Sequence, residues 1–186
     1  MPIKIVIVDY GMGNIQSVFR KFSLLGITPI VSRDLKVVKT ADKLVLPGVG
    51  HFAQAILNLK SSGLFDPLNE KVLISYTPIL GICLGMQLMA RHSEEGNCDG
   101  FGWVNAEVKK FRVKKIVNFK VPHVGWTQIE IKKPSKLMQG IKNFSEFYFV
   151  HSYLCKCMDD ADVLNITEYE LPFVSAFKKQ NIYGVK

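Results

Sequence analysis

The chain has 186 residues, 48% of them hydrophobic and 22% charged, which suits one globular domain with a sizeable core. No apolar run reaches the roughly 20 residues that cross a bilayer, and the apolar start Met1–Val8 meets Asp9, Tyr10 and Gly11 too early for a signal peptide, so the cytoplasm is expected. The net charge of +8 comes from lysines spread over Lys109–Lys120, Lys132–Lys142 and Lys178–Lys186 without interleaved aromatics, a solvated face or a dock for an acidic protein rather than a nucleic-acid site.

The first half alternates strands and helices. Ile3–Val8 is an apolar strand broken only by Lys4. Ile15, Val18, Phe19, Phe22 and Leu25 then recur at helical spacing, with Gly26 placed to end the helix. Thr28–Val31 and Lys43–Leu46 read as strands, Phe52, Ile56 and Leu59 mark a second helix, and Leu64–Ile74 a third. Pro78–Ile82 is a strand, followed by a helix from Leu84 to about Arg91. This alternation predicts a mostly parallel sheet with helices on both faces. Beyond Gly100 the segments Phe101–Phe111, Thr127–Ile131, Phe147–Val150, Val163–Ile166 and Phe173–Phe177 are strand-like, an added antiparallel section. There is no repeat, linker or low-complexity stretch, so residues 1–186 read as a single α/β domain.

Four cysteines, Cys83, Cys98, Cys155 and Cys157, suggest no disulfide framework, and no second ligand pair stands at zinc-site spacing, so no metal is expected. Gly81-Ile82-Cys83-Leu84-Gly85 follows a buried strand and opens a helix, the shape of a nucleophile elbow with Cys for Ser. A sharp turn lifts the sulfur above the sheet. The helix start favours a thiolate and offers N–H groups to an oxyanion. On the motif alone, a buried structural cysteine between two packing glycines fits equally well. Leu46-Pro47-Gly48-Val49-Gly50 ends the preceding strand and could supply a second oxyanion N–H; without Gly-Lys-Ser/Thr it is no P-loop.

Gly81–Gln87 together with Pro47–Gly50 resembles the class I glutamine amidotransferases. Asp9-Tyr10-Gly11-Met12-Gly13-Asn14, Pro122-His123-Val124-Gly125-Trp126, Phe147–Tyr153 and Ser93–Gly96 resemble, within that family, the glutaminase subunits of imidazole glycerol phosphate synthase. The resemblance implies a flavodoxin-like fold and no cofactor. It implies that Cys83 attacks the glutamine side-chain amide to form a thioester and release ammonia. The oxyanion would be held by Gly48, Val49, Gly50 and Leu84, in a loop that needs a partner-driven peptide flip. Gln87 and Glu95 would hold the glutamine head groups, Glu95 being the natural counter-ion for an ammonium, and backbone at His151, Ser152 and Tyr153 would complete the pocket. Ammonia would pass to a (β/α)₈-barrel cyclase in a heterodimer, to make imidazole glycerol phosphate in histidine biosynthesis. Asn14, Pro122, His123 and Trp126 would face that partner; Trp126 reads equally as an interface anchor or as packing under a hairpin.

The family pattern also has a His-Pro-Glu motif after a Gly-Val-x-Phe strand. Here Ile182-Tyr183-Gly184-Val185-Lys186 ends the sequence, so the base and its orienting glutamate are expected shortly after Lys186 in a longer chain. A positioned base supplies about 10²–10⁴ in rate. His51, beside the glycine loop, is the least poor substitute, and His92 is expected to be exposed. Two other functions stay open: a paralogue feeding ammonia to surface-sugar amidation, to which Thr127 in place of an Asn points, and a non-catalytic barrel-binding partner if the chain stops at Lys186.

Overall fold

A computed structural model describes residues 3–112 and 120–186; the middle of the lysine-rich stretch Lys109–Lys120 lies outside them. The chain runs β1 (Ile5–Val8), α1 (Ile15–Leu24), β2 (Ile30–Ser32), α2 (Leu35–Lys39), β3 (Lys43–Gly48), α3 (Phe52–Ser61), α4 (Phe65–Asn69, continued by a π turn at Glu70–Ile74), β4 (Ile79–Cys83) and α5 (Leu84–Leu88). There follow β5 (His92–Ser93), β6 (Cys98–Asp99), β7 (Ala106–Lys110), β8 (His123–Ile131), β9 (Glu146–His151), β10 (Tyr153–Cys157), β11 (Val163–Tyr169), β12 (Leu171–Lys179) and β13 (Ile182–Val185). Among the described residues no helix is long and apolar enough to cross a membrane.

Strands β2-β1-β3-β4-β13 lie side by side and parallel. They are short, nearly continuous apolar runs, as strands covered on both faces must be. Strand order changes direction between β1 and β3, and in such sheets the crevice beyond the carboxyl ends at that point is the usual ligand site. The Asp9–Asn14 and Pro47–Gly50 loops leave β1 and β3 there. Beyond β13 the sheet turns antiparallel through β12, β10 and β7, while β11 pairs with both β12 and β8, and β8 carries β9 as a two-stranded ribbon. The expected α/β architecture is therefore present, parallel first and antiparallel after.

The two faces of the parallel sheet are covered unequally. Phe52, Leu59, Leu64, Leu84, Met86 and Trp103 form the main core on one face. On the other, Phe22 and Ile27 share a groove with Ile5, Val45, Leu80 and Tyr183, and no residue of α1 is fully buried. Leu25, expected on the packed stripe of α1, is 75% exposed.

Other differences have local causes. The helix after Cys83 stops at Leu88 instead of Arg91. The carbonyls of Leu88, Met89 and Ala90 accept from the N–H groups of Phe101, Val104 and Gly102, so the incoming segment takes over the last turn. That segment is strand only from Ala106. Before it, Phe101 stacks on Phe65 at 4.5 Å and on Trp103 at 4.0 Å, so these rings fill the core in an irregular backbone. The stretch expected as one helix over Leu64–Ile74 changes to π geometry at Glu70. Strand β8 begins at His123 rather than Thr127, because the Pro122–Trp126 segment pairs with β9 in register His123↔His151 and Trp126↔Tyr148.

Candidate active site

Cys83 ends β4 opposite Gly48 of β3 and caps α5 with φ 54° and ψ −109°. A non-glycine residue in that region is strained, and surrounding packing must hold it. The flanking glycines show how. A Cβ on Gly85 would fall onto the Leu46 carbonyl oxygen, and one on Gly81 would sit 2.7 Å from the Gly85 carbonyl carbon. The helix start is thus pressed against β3, and the sulfur stands where two strand ends meet.

A cleft of about 680 Å³ opens over the sulfur. Val49, Gly50, Cys83, Leu84 and Gln87 line one wall, and Pro122, Val150, His151, Ser152 and Tyr153 the facing one. Glu95 and Lys186 line it as well. The structure therefore gathers most of the residues expected to carry chemistry into one cavity. Glu95 Oε2 accepts from Phe52 N at 2.9 Å, at the start of α3, where His51 provides no side-chain cap. The helix end favours a carboxylate there and fixes its direction.

Gly48 sits behind the wall, with room for no side chain between Tyr10, Leu84 and Gly85. The Tyr10 hydroxyl donates to the Pro47 carbonyl at 2.8 Å. Burial, with the Cys83 sulfur nearby, holds that phenol well above its usual pKa, so it stays a donor. Asn14 is exposed and caps α1, its Oδ1 accepting from Ser17 N at 3.2 Å. Trp126 is 68% exposed and meets Tyr148 edge to face at 5.7 Å, with Val124 and Val150 exposed on the same face of the ribbon. Trp126 does not pack under the hairpin.

His123 is not at the surface, contrary to expectation. It lies on the inner face of the ribbon, 1% exposed, stacked on Tyr169 at 3.9 Å. Its Nδ1 pairs with His151 Nε2 at 3.0 Å and its Nε2 with Thr127 Oγ1 at 2.9 Å. His151 Nδ1 in turn donates to the Tyr153 carbonyl at 2.9 Å, and Gln87 Nε2 donates to the same oxygen at 3.3 Å. Burial lowers the pKa of both rings, that of His151 to about 3 with Lys186 adding to the effect. Both are neutral at physiological pH.

Residues 6–185 match the family described as Glutamine amidotransferase class-I. The chain belongs to that family. Among curated relatives, this amidotransferase is 46% identical to "Imidazole glycerol phosphate synthase subunit HisH 2" of Methanococcus maripaludis, over 98% of this chain and 89% of that one. It is 43% identical to "Imidazole glycerol phosphate synthase subunit HisH 1" of Campylobacter jejuni, over 98% and 90%. The HisH 2 subunit of Pseudomonas aeruginosa is 38% identical, over 97% and 88%. A solved structure titled as a glutamine amidotransferase superposes with TM-score 0.74 over 97% of this chain and 87% of its own, at 15% identity, a likeness of fold.

Among the described residues of this amidotransferase, no hydrogen bond joins Cys83 to any of the four histidines. His51 is exposed and does not line the cleft, and His92 pairs with Asp99 at 2.9 Å. His151 lines the cleft, but both its ring nitrogens are engaged. Strand β13 runs parallel to β4 with Val185 beside Ile82, so its carboxyl end lies beside the elbow, and Lys186 lines the same cleft as Cys83. Sequence reasoning gave no role to Tyr10 and did not pair the side chains of His123 and His151. Tyr10 stood within a quoted motif, but its target, the Pro47 carbonyl, belongs to backbone that the sequence does not display. The alternation of His123, Gly125 and Thr127 was a strand signal for the pair.

Proposed function

We propose that this amidotransferase hydrolyses glutamine to glutamate and ammonia at Cys83 and passes the ammonia to a (β/α)₈-barrel cyclase subunit in histidine biosynthesis. The observation that carries this reading is the strained elbow at Cys83, sharing one cleft with Glu95 and Gln87. Glu95 is a fixed carboxylate with an oxygen left to meet a substrate ammonium, and Gln87 is an oriented amide. Relatives named as imidazole glycerol phosphate synthase subunits at 38–46% identity support the pathway part of this reading.

In this mechanism the thiolate adds to the glutamine amide carbon. The resulting oxyanion accepts from Leu84 N–H and from the Gly48–Gly50 loop once that loop presents an N–H. Collapse to the thioester expels ammonia, which takes a proton from the base, and water then releases glutamate. The exposed Val124, Trp126, Tyr148 and Val150 face supplies a docking surface for the barrel.

The test uses the chain together with its cyclase. Cys83→Ala abolishes glutamine-dependent synthesis and leaves synthesis from added ammonia intact; loss of both overturns the role. A second reading, ammonia supply to surface-sugar amidation, is favoured by Thr127 and would show as activity with a sugar-modifying partner only. The glutamine site is the same in both.

A further inference from the structure

We propose that His123 is a positioning residue of the glutamine pocket, acting through His151 to hold the Tyr153 carbonyl and, through that, the Gln87 amide. The inference rests on the glutamine-hydrolysis reading above and names a residue that never touches the substrate.

The argument begins at the end of the hydrogen-bond chain that has no freedom. A carbonyl oxygen only accepts, so His151 Nδ1 must carry a proton to bond Tyr153 O at 2.9 Å. In a neutral ring His151 Nε2 is then a bare acceptor, and the proton in the 3.0 Å bond between the rings belongs to His123 Nδ1. That leaves His123 Nε2 as an acceptor, filled by the Thr127 hydroxyl at 2.9 Å. With both rings neutral this arrangement alone satisfies every bond, and the two imidazoles share one tautomer.

The surroundings favour neutrality. His123 lies between Tyr169 and Phe149, and His151 has Phe173 at 4.8 Å and Phe111 at 5.7 Å. At the other end, the Tyr153 carbonyl takes a second donor, Gln87 Nε2 at 3.3 Å. This fixes which way the amide of Gln87 points. No donor among the described residues takes Gln87 Oε1, and Gln87 lines the cleft beside Cys83.

Removing His123 leaves His151 Nε2 buried without a donor. The ring then loses one of the two bonds that fix its angle, and its Nδ1–H can turn away from the Tyr153 oxygen. The carbonyl and Gln87 lose their alignment while the elbow, on the opposite wall, is untouched. The loss should fall on glutamine affinity and not on the sulfur.

Two measurements on the full-length protein test this. NMR of isotope-labelled histidine ring nitrogens should find both rings protonated at Nδ1; a His151 protonated at Nε2 overturns the proposal. The second follows alkylation of Cys83 by a glutamine-shaped diazoketone, which yields a half-saturating concentration and a limiting rate. His123→Ala should raise the half-saturating concentration about tenfold, the equivalent of one lost hydrogen bond, with the limiting rate within about twofold. His123→Asn, whose Nδ2 stands where Nδ1 stood, should recover most of the affinity. His123→Gln, whose donor points toward Thr127, should not, and the pair of amides carries the comparison if the alanine protein fails to fold. Alkylation by iodoacetamide should be equal in all. Unchanged half-saturation in His123→Ala or His123→Gln, or a loss confined to the limiting rate, overturns the proposal. A wild-type Cys83 inert to the diazoketone would instead sink the glutamine reading, leaving the tautomers to decide the relay.

Discussion

The two walls of the cleft are built by different means. The elbow wall, Leu46–Gly50 with Gly81–Gly85, is made of backbone pressed on backbone, and its shape is set by glycines within a few residues of the sulfur. The ribbon wall, Pro122 with Val150–Tyr153, is held by side chains on strands far apart in sequence: a histidine pair and a box of aromatic rings. Backbone contacts tolerate no added atom, whereas side-chain contacts can be thinned one at a time. The elbow should therefore fail abruptly under substitution and the ribbon by degrees.

The sharpest way to break this contrast is Gly85→Ala. Its Cβ would land on the Leu46 carbonyl oxygen, a backbone atom that cannot swing away. The expected loss exceeds about 4 kcal/mol, a size that only a few mechanisms reach. Denaturant unfolding reads it, and a soluble protein of near-native stability would show that the elbow yields. On the ribbon, Phe149→Ala should cost about 3 kcal/mol by emptying the aromatic box, whose Phe149 is 2% exposed. A loss there larger than that of Gly85→Ala would reverse the ranking of the two walls.

The same contrast explains what was legible in the sequence. The alternation of strands and helices up to β4 and the place of Cys83 at a strand-to-helix turn were readable because period, glycine spacing and such turns are local signals. The placement of His123 was not. Whether that ring faces a partner or an interior depends on pairing with His151, and no local pattern states which strand will lie alongside. The irregular path of Phe101–Trp103 was hidden for a related reason. Rings suited to a strand were recruited to stack on Phe65. Trp126 fell between these cases: the sequence left two readings, and register alone chose the exposed one.

Acid sharpens the comparison at intermediate size. An unfolded His151 ring takes up a proton near 6.5, whereas in the folded protein burial, with the Lys186 charge, holds it off until about 3. The contribution is fully present above 6.5 and is lost as pH falls through that window, because the unfolded chain then binds the extra proton. The slope should approach about 1.4 kcal/mol per pH unit, with His123 adding in the same direction. Unfolding midpoints in the upper part of the window, before carboxylates titrate, should fall for the wild type and flatten in His151→Asn. Equal slopes in the two proteins would mean that the ring is already charged when folded.

The smallest expected effect is on the outside of the same ribbon. Trp126 lies on the face opposite the histidines, 68% exposed, touching mainly Tyr148 at the edge of its ring. Little apolar area leaves water when this chain folds around it, so Trp126→Ala should change stability by less than about 0.5 kcal/mol, as surface substitutions do. A ring of that size kept exposed beside Val124, Tyr148 and Val150 has its area available to a partner instead. The same variant should therefore weaken association with the proposed cyclase partner by far more than it weakens folding, measured as a slower approach to saturation in a titration of one protein with the other. Should folding suffer and association not, the outer face would belong to the core of the ribbon, and the distinction between its two sides would collapse.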